Sequence, residues 1–261
     1  MNSCSNGTLR VSPQIDDQAL LNMEQKRIVH ICYPSPASGW VLRLLSGIHA
    51  SPSAAIKERL SQNWESRLSE VALAVSSKIE IVGASARRVN DAVHRISAEV
   101  QQRNGELEDL IGTDGCLSIM RPGQLIETLL DIESFLFEMH SALEITECFL
   151  KLFRRFILSH AGARQETLPQ CFTSLEIDQS WFDRLNIARN LFSHQIAPWL
   201  ALDIQTLDPC RFDLILLKRN VIIPDHSDYF HFDECRGMYR GYFNAMERLH
   251  TWLLSEIGRC E

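Results

Sequence analysis

The side chains of this chain best suited to chemistry lie in one short stretch, Trp181-Phe182-Asp183-Arg184-Leu185-Asn186-Ile187-Ala188-Arg189-Asn190-Leu191-Phe192-Ser193-His194. At about 100° per residue on a helix, Asp183, Asn186, Asn190 and His194 fall into one polar stripe, three or four residues apart. Trp181, Leu185, Ala188, Phe192 and Ile196 form an apolar face on one side of it, and Ile187 and Leu191 flank the other. A stripe narrowed in this way is expected to be partly desolvated, and polar groups withdrawn from water need partners or a purpose. His194 can take or give a proton near neutral pH. Arg189 offers a fork of donors to an anion's oxygens and stays charged at any working pH. The two lie five residues apart, about 140° around the helix. A single copy brings them together only through the long reach of the arginine or a distorted turn.

Other familiar sites are missing from the sequence. There is no GxGxxG after a strand, no GxxxxGK[ST], no HExxH, no GxSxG and no Cys/His cluster with zinc spacing. His226 and His231 bracket Asp233 and Cys235, but the irregular spacing and intervening aromatics argue against a metal site, so no metal and no cofactor are expected. Pairs such as Glu144 and Glu147 read as helix surface charge.

The elements that must position the stripe are mostly helical. Residues 1–52 read as a mixed arm, with an extended segment at Lys26–Tyr33 and a short helix from Trp40 to Ile48. Over 53–104, apolar residues from Ile56 through Leu68, Val75, Val82, Val89 and Ile96 to Val100 recur at helical spacings. One long amphipathic helix or two broken at Gly83 would both fit. Arg87, Arg88, Arg95 and Arg103 mark its polar side, either as a solvated face or as a basic strip near a phosphate site. A glycine-rich linker follows at 105–123. Residues 124–261 form the core, beginning with a long helix from Gln124 to about His160 whose acids precede its bases, in the order that suits the helix dipole. A polar linker over 164–179 leads to the Trp181 helix, with Ser180 as its cap; Pro198 must end or kink it. Arg211–Leu217 and Val221–Ile223 suggest a small β-hairpin at about 211–224. A last helix runs from about Asp233 to Ile257.

Arg189-Asn190-Leu191-Phe192-Ser193-His194 resembles the R-x4–6-H motif of the HEPN superfamily, including the polar residue that the family favours just after the arginine. The resemblance implies a mainly α fold: a HEPN-like helical bundle with the motif on its third core helix, here carrying a long N-terminal helical region and a small β-hairpin before the last helix. The hairpin and the first fifty residues depart from the simple bundle. The resemblance further implies a metal-independent endoribonuclease. RNA supplies its own nucleophile, the 2′-hydroxyl, and cleavage leaves a 2′,3′-cyclic phosphate. In such an enzyme His194 would serve as general base or acid and Arg189 would hold phosphate oxygens. Asn190 would fix a tautomer or donate to the phosphate. Because HEPN nucleases pair two motif helices across a two-fold, a homodimer with these helices at its interface is expected. Trp181 and Trp199 could serve that interface or the core. Similar proteins act in toxin–antitoxin and phage-defence systems, which would add an antitoxin or other regulatory partner to the RNA substrate. The alternatives are a non-catalytic helical scaffold and an RNA- or nucleotide-binding interaction module. In either, Arg189 would pair with an acid on the preceding long helix, such as Glu144, and His194 would bond a carbonyl.

Composition bounds these readings. The 261 residues carry 26 Lys and Arg against 33 Asp and Glu, a net charge of −7. That excludes a surface that coats nucleic acid wholesale, though not a local RNA groove. The eight scattered cysteines read as free thiols. The polar start from Met1 to Arg10 lacks the pattern of a secretory signal, and no apolar run approaches the ~20 residues that span a bilayer. A cytoplasmic protein with no membrane partner is expected.

Overall fold

A computed structural model describes residues 39–51, 53, 54, 56, 58, 65–103, 105, 122–158, 166–194, 199–204, 212–218 and 228–259. All lie within one unit, Pro36–Glu261. The Lys26–Tyr33 segment, nearly all of the glycine-rich linker and Val221–Ile223 lie outside the described residues.

Among the described residues there are six helices: α1 (Gly39–Ala50), α2 (Glu65–Gln102), α3 (Pro122–Phe156), α4 (Leu168–Ser174), α5 (Ser180–His194) and α6 (Phe232–Arg259). Between α5 and α6 lie three strands, β1 (Trp199–Ile204), β2 (Phe212–Leu217) and β3 (Tyr229–His231). The protein is mainly helical, with a small antiparallel sheet before the last helix.

The long α2 runs unbroken through Gly83. Its buried residues Leu68, Val75, Val82, Val89 and Ile96 follow a seven-residue repeat, which keeps one seam against a partner over many turns. That partner is α3, which contributes Ile132, Phe135, Leu136, Met139 and Leu143 to the shared core. Two ion pairs set their antiparallel register: Lys78 Nζ to Glu138 at 2.6 Å, and Arg88 Nε to Asp131 at 3.1 Å. Helix α6 closes the bundle with Met238, Tyr242, Ala245, Met246, Leu249 and Leu253. At its far side Trp40 of α1 donates from Nε1 to the Met246 carbonyl at 3.0 Å.

The 164–179 stretch, expected as a linker, contains α4. Thr167 and Gln170 cap it reciprocally, each side chain bonding the other's backbone N–H, and Pro169 fits the first turn, where no N–H is needed. After α4, Glu176 takes a left-handed φ of 52°. The guanidinium of Arg248 donates to the Leu175 and Glu176 carbonyls at 2.8 and 2.9 Å, which holds that turn.

The sheet order is β1-β2-β3, all antiparallel. β2 is the first strand of the expected hairpin, but it pairs with Tyr229–His231 downstream and with Trp199–Ile204 upstream. Side chains alternate across it: Leu214 and Leu216 join the helical core, while Ile215 and Leu217 pack with Tyr229 in a second small cluster.

Candidate functional site

The motif helix α5 begins with a cap two residues earlier than the expected Ser180 cap. The Asp178 carboxylate accepts from the Ser180 backbone N–H at 3.0 Å and from its hydroxyl at 2.8 Å, and these bonds hold the Asp178 pKa below its ordinary value. Trp181, Leu185, Ala188 and Leu191 are buried and seat the helix against the bundle. Trp181 is therefore a core residue, edge-on to Tyr242 with centroids 6.1 Å apart, whereas Trp199 is 53% exposed. The Trp181 side chain occupies the space beside Gly241 of α6, where an added Cβ would collide with its indole carbons. Close approach of the two helices requires glycine at that position. Arg184 Nη1 and Glu234 Oε2, 3.3 Å apart, tie α5 to α6 a second time.

The described part of the polar stripe is largely solvated, against the expectation. Asp183 and Asn190 are exposed, Asn186 is half-buried, and Ile187, which was to wall the stripe in, is 51% exposed. The reason is rotational: the contacts to α3 and α6 turn the Trp181–Leu185–Ala188 line inward and leave Ile187 on the opposite side. His194 is the last residue of α5, and its side chain lies outside the described part of the structure, as does Ile196.

Arg189 is half-buried and reaches α3. Its Nη1 lies 3.2 Å from His140 Nε2, and its guanidinium carbon lies 5.7 Å from the centroid of the Phe137 ring. Glu144, one turn beyond His140, has its carboxylate 3.5 Å from His140 Nδ1. The geometry decides the tautomer. Arginine can only donate, so His140 Nε2 must offer its lone pair, and the ring proton sits on Nδ1, facing Glu144. Burial lowers the His140 pKa, the Arg189 charge lowers it further, and Glu144 opposes both; the imidazole is neutral at pH 7. Arg189 Nε is buried with no hydrogen-bond partner. No carboxylate of a described residue lies within ion-pair distance of the guanidinium. The expected alternative pairing with Glu144 is thus replaced by an indirect one, in which a neutral ring stands between the two charges.

The structure brings Arg189 together with His140, Phe137 and, through His140, Glu144. Asn190 points away from this group into solvent. His140 is the residue that sequence reasoning missed. Its signal was a lone imidazole in an apolar helix with an acid four residues on, a spacing that puts both on one face. Among the described residues no group of three or more His, Cys, Asp or Glu side chains could hold a metal ion, and no helix is long and apolar enough to cross a membrane.

Compared with known proteins, the chain matches no protein-family model, no curated protein and no solved structure.

Proposed function

We propose that the chain is a metal-independent endoribonuclease of the HEPN type, working as a homodimer whose α5 helices face each other. One observation carries this reading. Arg189 is held in place by a neutral imidazole and an aromatic ring, and no described carboxylate pairs with it. A structural arginine is ordinarily paired with an acid, because leaving a half-buried cation unpaired is costly. A guanidinium that is oriented but still carries its full charge is suited to an incoming anion, and a phosphodiester is the anion that the Arg-Asn-x3-His pattern resembles a site for.

In this reading Arg189 binds a non-bridging oxygen of the scissile phosphate. His194 takes the proton of the adjacent 2′-hydroxyl, whose oxygen bonds to phosphorus as the bond to the 5′-oxygen breaks. A second imidazole, from the other copy's motif, returns a proton to that leaving oxygen. The products are a 2′,3′-cyclic phosphate and a 5′-hydroxyl. The 140° between Arg189 and His194 leaves a single copy only the reach of the arginine, which is directed to His140, so a second copy is the simpler source of the partner imidazole. Ile187 and Phe137, 51% and 36% exposed, are apolar groups that such a copy would cover. His140 acts here as a positioning residue. An antitoxin or other partner that covers this face would restrain the enzyme.

The test is cleavage of RNA by the purified chain in EDTA, with product ends identified by mass. Wild type is expected to yield cyclic phosphate ends, and Arg189→Ala and His194→Ala to lose at least ~10²-fold in rate with an unchanged helical CD spectrum. Equal cleavage by wild type and both variants would overturn the assignment.

A second reading, a helical interaction module without catalysis, is favoured by a different observation. Leu73 on α2 and Ile126 and Leu130 on α3 are 51%, 58% and 56% exposed, more apolar surface than the α2–α3 pair needs for itself. Size measurements separate the two. Loss of the dimer in Ile187→Glu assigns the interface to the motif face, and loss in Ile126→Glu assigns it to the long helical pair.

A further inference from the structure

A cavity of about 250 Å³ opens between the middle of α2 and the first two turns of α6, away from Arg189. Its floor is apolar and aromatic, built from the buried Val89, Phe135 and Phe232 together with Tyr239. Its rim is charged, with two guanidinium groups, Arg87 and Arg236, against one carboxylate, Asp233.

The two arginines are in different states. Arg236 is committed: Nη1 lies 3.1 Å from Asp233 Oδ1, and Nη2 lies 3.5 Å from Asn90 Oδ1, so it bridges α6 to α2 across the mouth. Arg87 has no hydrogen bond or ion pair to any described residue. Its neighbour Arg88 shows the contrast. One residue on, it turns toward α3 and is neutralised by Asp131 at 3.1 Å with a further bond to Ser134 at 3.2 Å. The basic strip legible in the sequence is therefore split, one arginine being spent on the helix pair and the other left facing a cavity. Gly83, one turn before Arg87, keeps the space open. A Cβ there would lie 3.6 Å from Tyr239 Oη and 3.9 Å from Arg87 Nη1, which is ordinary contact, but any longer side chain would enter the cavity.

We propose that this cavity binds a small organic anion with a flat aromatic body, the ring lying over Val89 and Phe135 beside Tyr239 and the anionic head meeting Arg87. The volume lies just below the usual range for such sites, which restricts the enclosed part of the ligand to a small ring system, and the lining follows their usual plan of apolar walls with few polar groups. The head is a phosphate or a carboxylate, since both match a guanidinium fork. Asn90 and Asp233 add acceptors for ring amino or hydroxyl groups. This site stands independently of the ribonuclease reading, and Arg189 takes no part in it.

Isothermal titration and thermal shift on the full chain test it with four probes: adenosine monophosphate, indole-3-carboxylate, inorganic phosphate and adenosine. One of the first two is expected to bind at sub-millimolar concentration, and which one does so identifies the head as phosphate or carboxylate. Phosphate or adenosine alone should bind at least ~10-fold more weakly, because each supplies half of the contacts. Arg87→Ala and Gly83→Leu are each expected to weaken binding ~10-fold or more, the loss of one charge-assisted bond or of the space itself. Arg88→Ala and Arg189→Ala should leave it unchanged. Failure of both aromatic anions to bind at millimolar concentration, or equal binding by Arg87→Ala and wild type, would overturn the proposal.

Discussion

His250 and His140 are both held below the ordinary imidazole pKa by burial, in two regions of one bundle. His250 is 3% exposed and lies against Trp40, ring centroids 5.2 Å apart. Its Nε2 is 2.9 Å from the Trp40 carbonyl, which can only accept, so there the proton sits on Nε2. Trp40 in turn donates to Met246. That region is buried, and these two bonds end on backbone oxygens. At His140 the proton sits on the other nitrogen, Nε2 accepts from a cation, and the chain of contacts ends on an exposed carboxylate. The same residue type with the same direction of shift closes a core in one place and holds a charge ready in the other. A perturbed histidine is thus informative only through what its two nitrogens face.

Substitutions should separate the two roles. His250→Ala removes a buried ring and its bond to α1, and is expected to destabilise by about 3 kcal/mol in urea unfolding with no change in the specific activity of the folded fraction. Gly241→Ala forces Trp181 out of its seat and should cost about 2 kcal/mol; because α5 must move to admit the methyl group, RNA cleavage should fall as well. His140→Ala should cost only about 1 kcal/mol, yet lower cleavage ~10-fold by freeing the Arg189 fork. His140→Gln, whose amide oxygen can accept from Arg189, should restore most of that rate. A purely structural His140 would show no such rescue.

The smallest effect is the pH dependence, and its sign follows from the direction of both shifts. Each folded pKa lies below the ordinary imidazole value of about 6.5, so the unfolded chain takes up protons first as the pH falls. The stability is complete above about 6.5 and is lost as the pH drops from there through the folded values. Urea midpoints between pH 7.5 and 5 should fall in wild type, and fall less in His140→Gln. A rising midpoint would contradict the neutral assignment of both rings.

The helices were legible because their signal is local. A seven-residue repeat on α2 and an apolar band on α3 require no knowledge of the partner; both ends of α3 and the last turn of α2 lie within a few residues of the expected ones, whereas α2 begins at Glu65, twelve residues after the expected start of the helical region. Helix α4 is legible in principle, since Thr167 and Gln170 form a capping pair around Pro169, but a polar, proline-containing stretch reads equally as a linker. Strand pairing was not legible. Leu214–Leu217 is buried on both faces, so its alternation is hidden, and its partners Trp199–Ile204 and Tyr229–His231 lie across longer connections than the tight turn that a local hairpin signal reports. Arg189 was found from its motif, but its neighbour His140 lies 49 residues earlier and meets it only through the packing of α3 on α5. The burial of the stripe failed for the same reason: a helical wheel gives the angles between side chains and leaves open which angle points inward.

The bond from Trp40 to Met246 joins residues 206 apart in sequence. The α2–α3 hairpin, by contrast, is made by segments adjacent in the chain. Long loops are closed late, after nearby contacts have formed. The hairpin is therefore expected to assemble first, with α5 docked on one wall only, until α6 arrives carrying Gly241, Tyr242 and Met246 to clasp the first described helix and the motif helix together. A chain halted before that clasp would hold Arg189 against α3 with the second wall missing, and the activity proposed for the site would then appear only in the final step of folding.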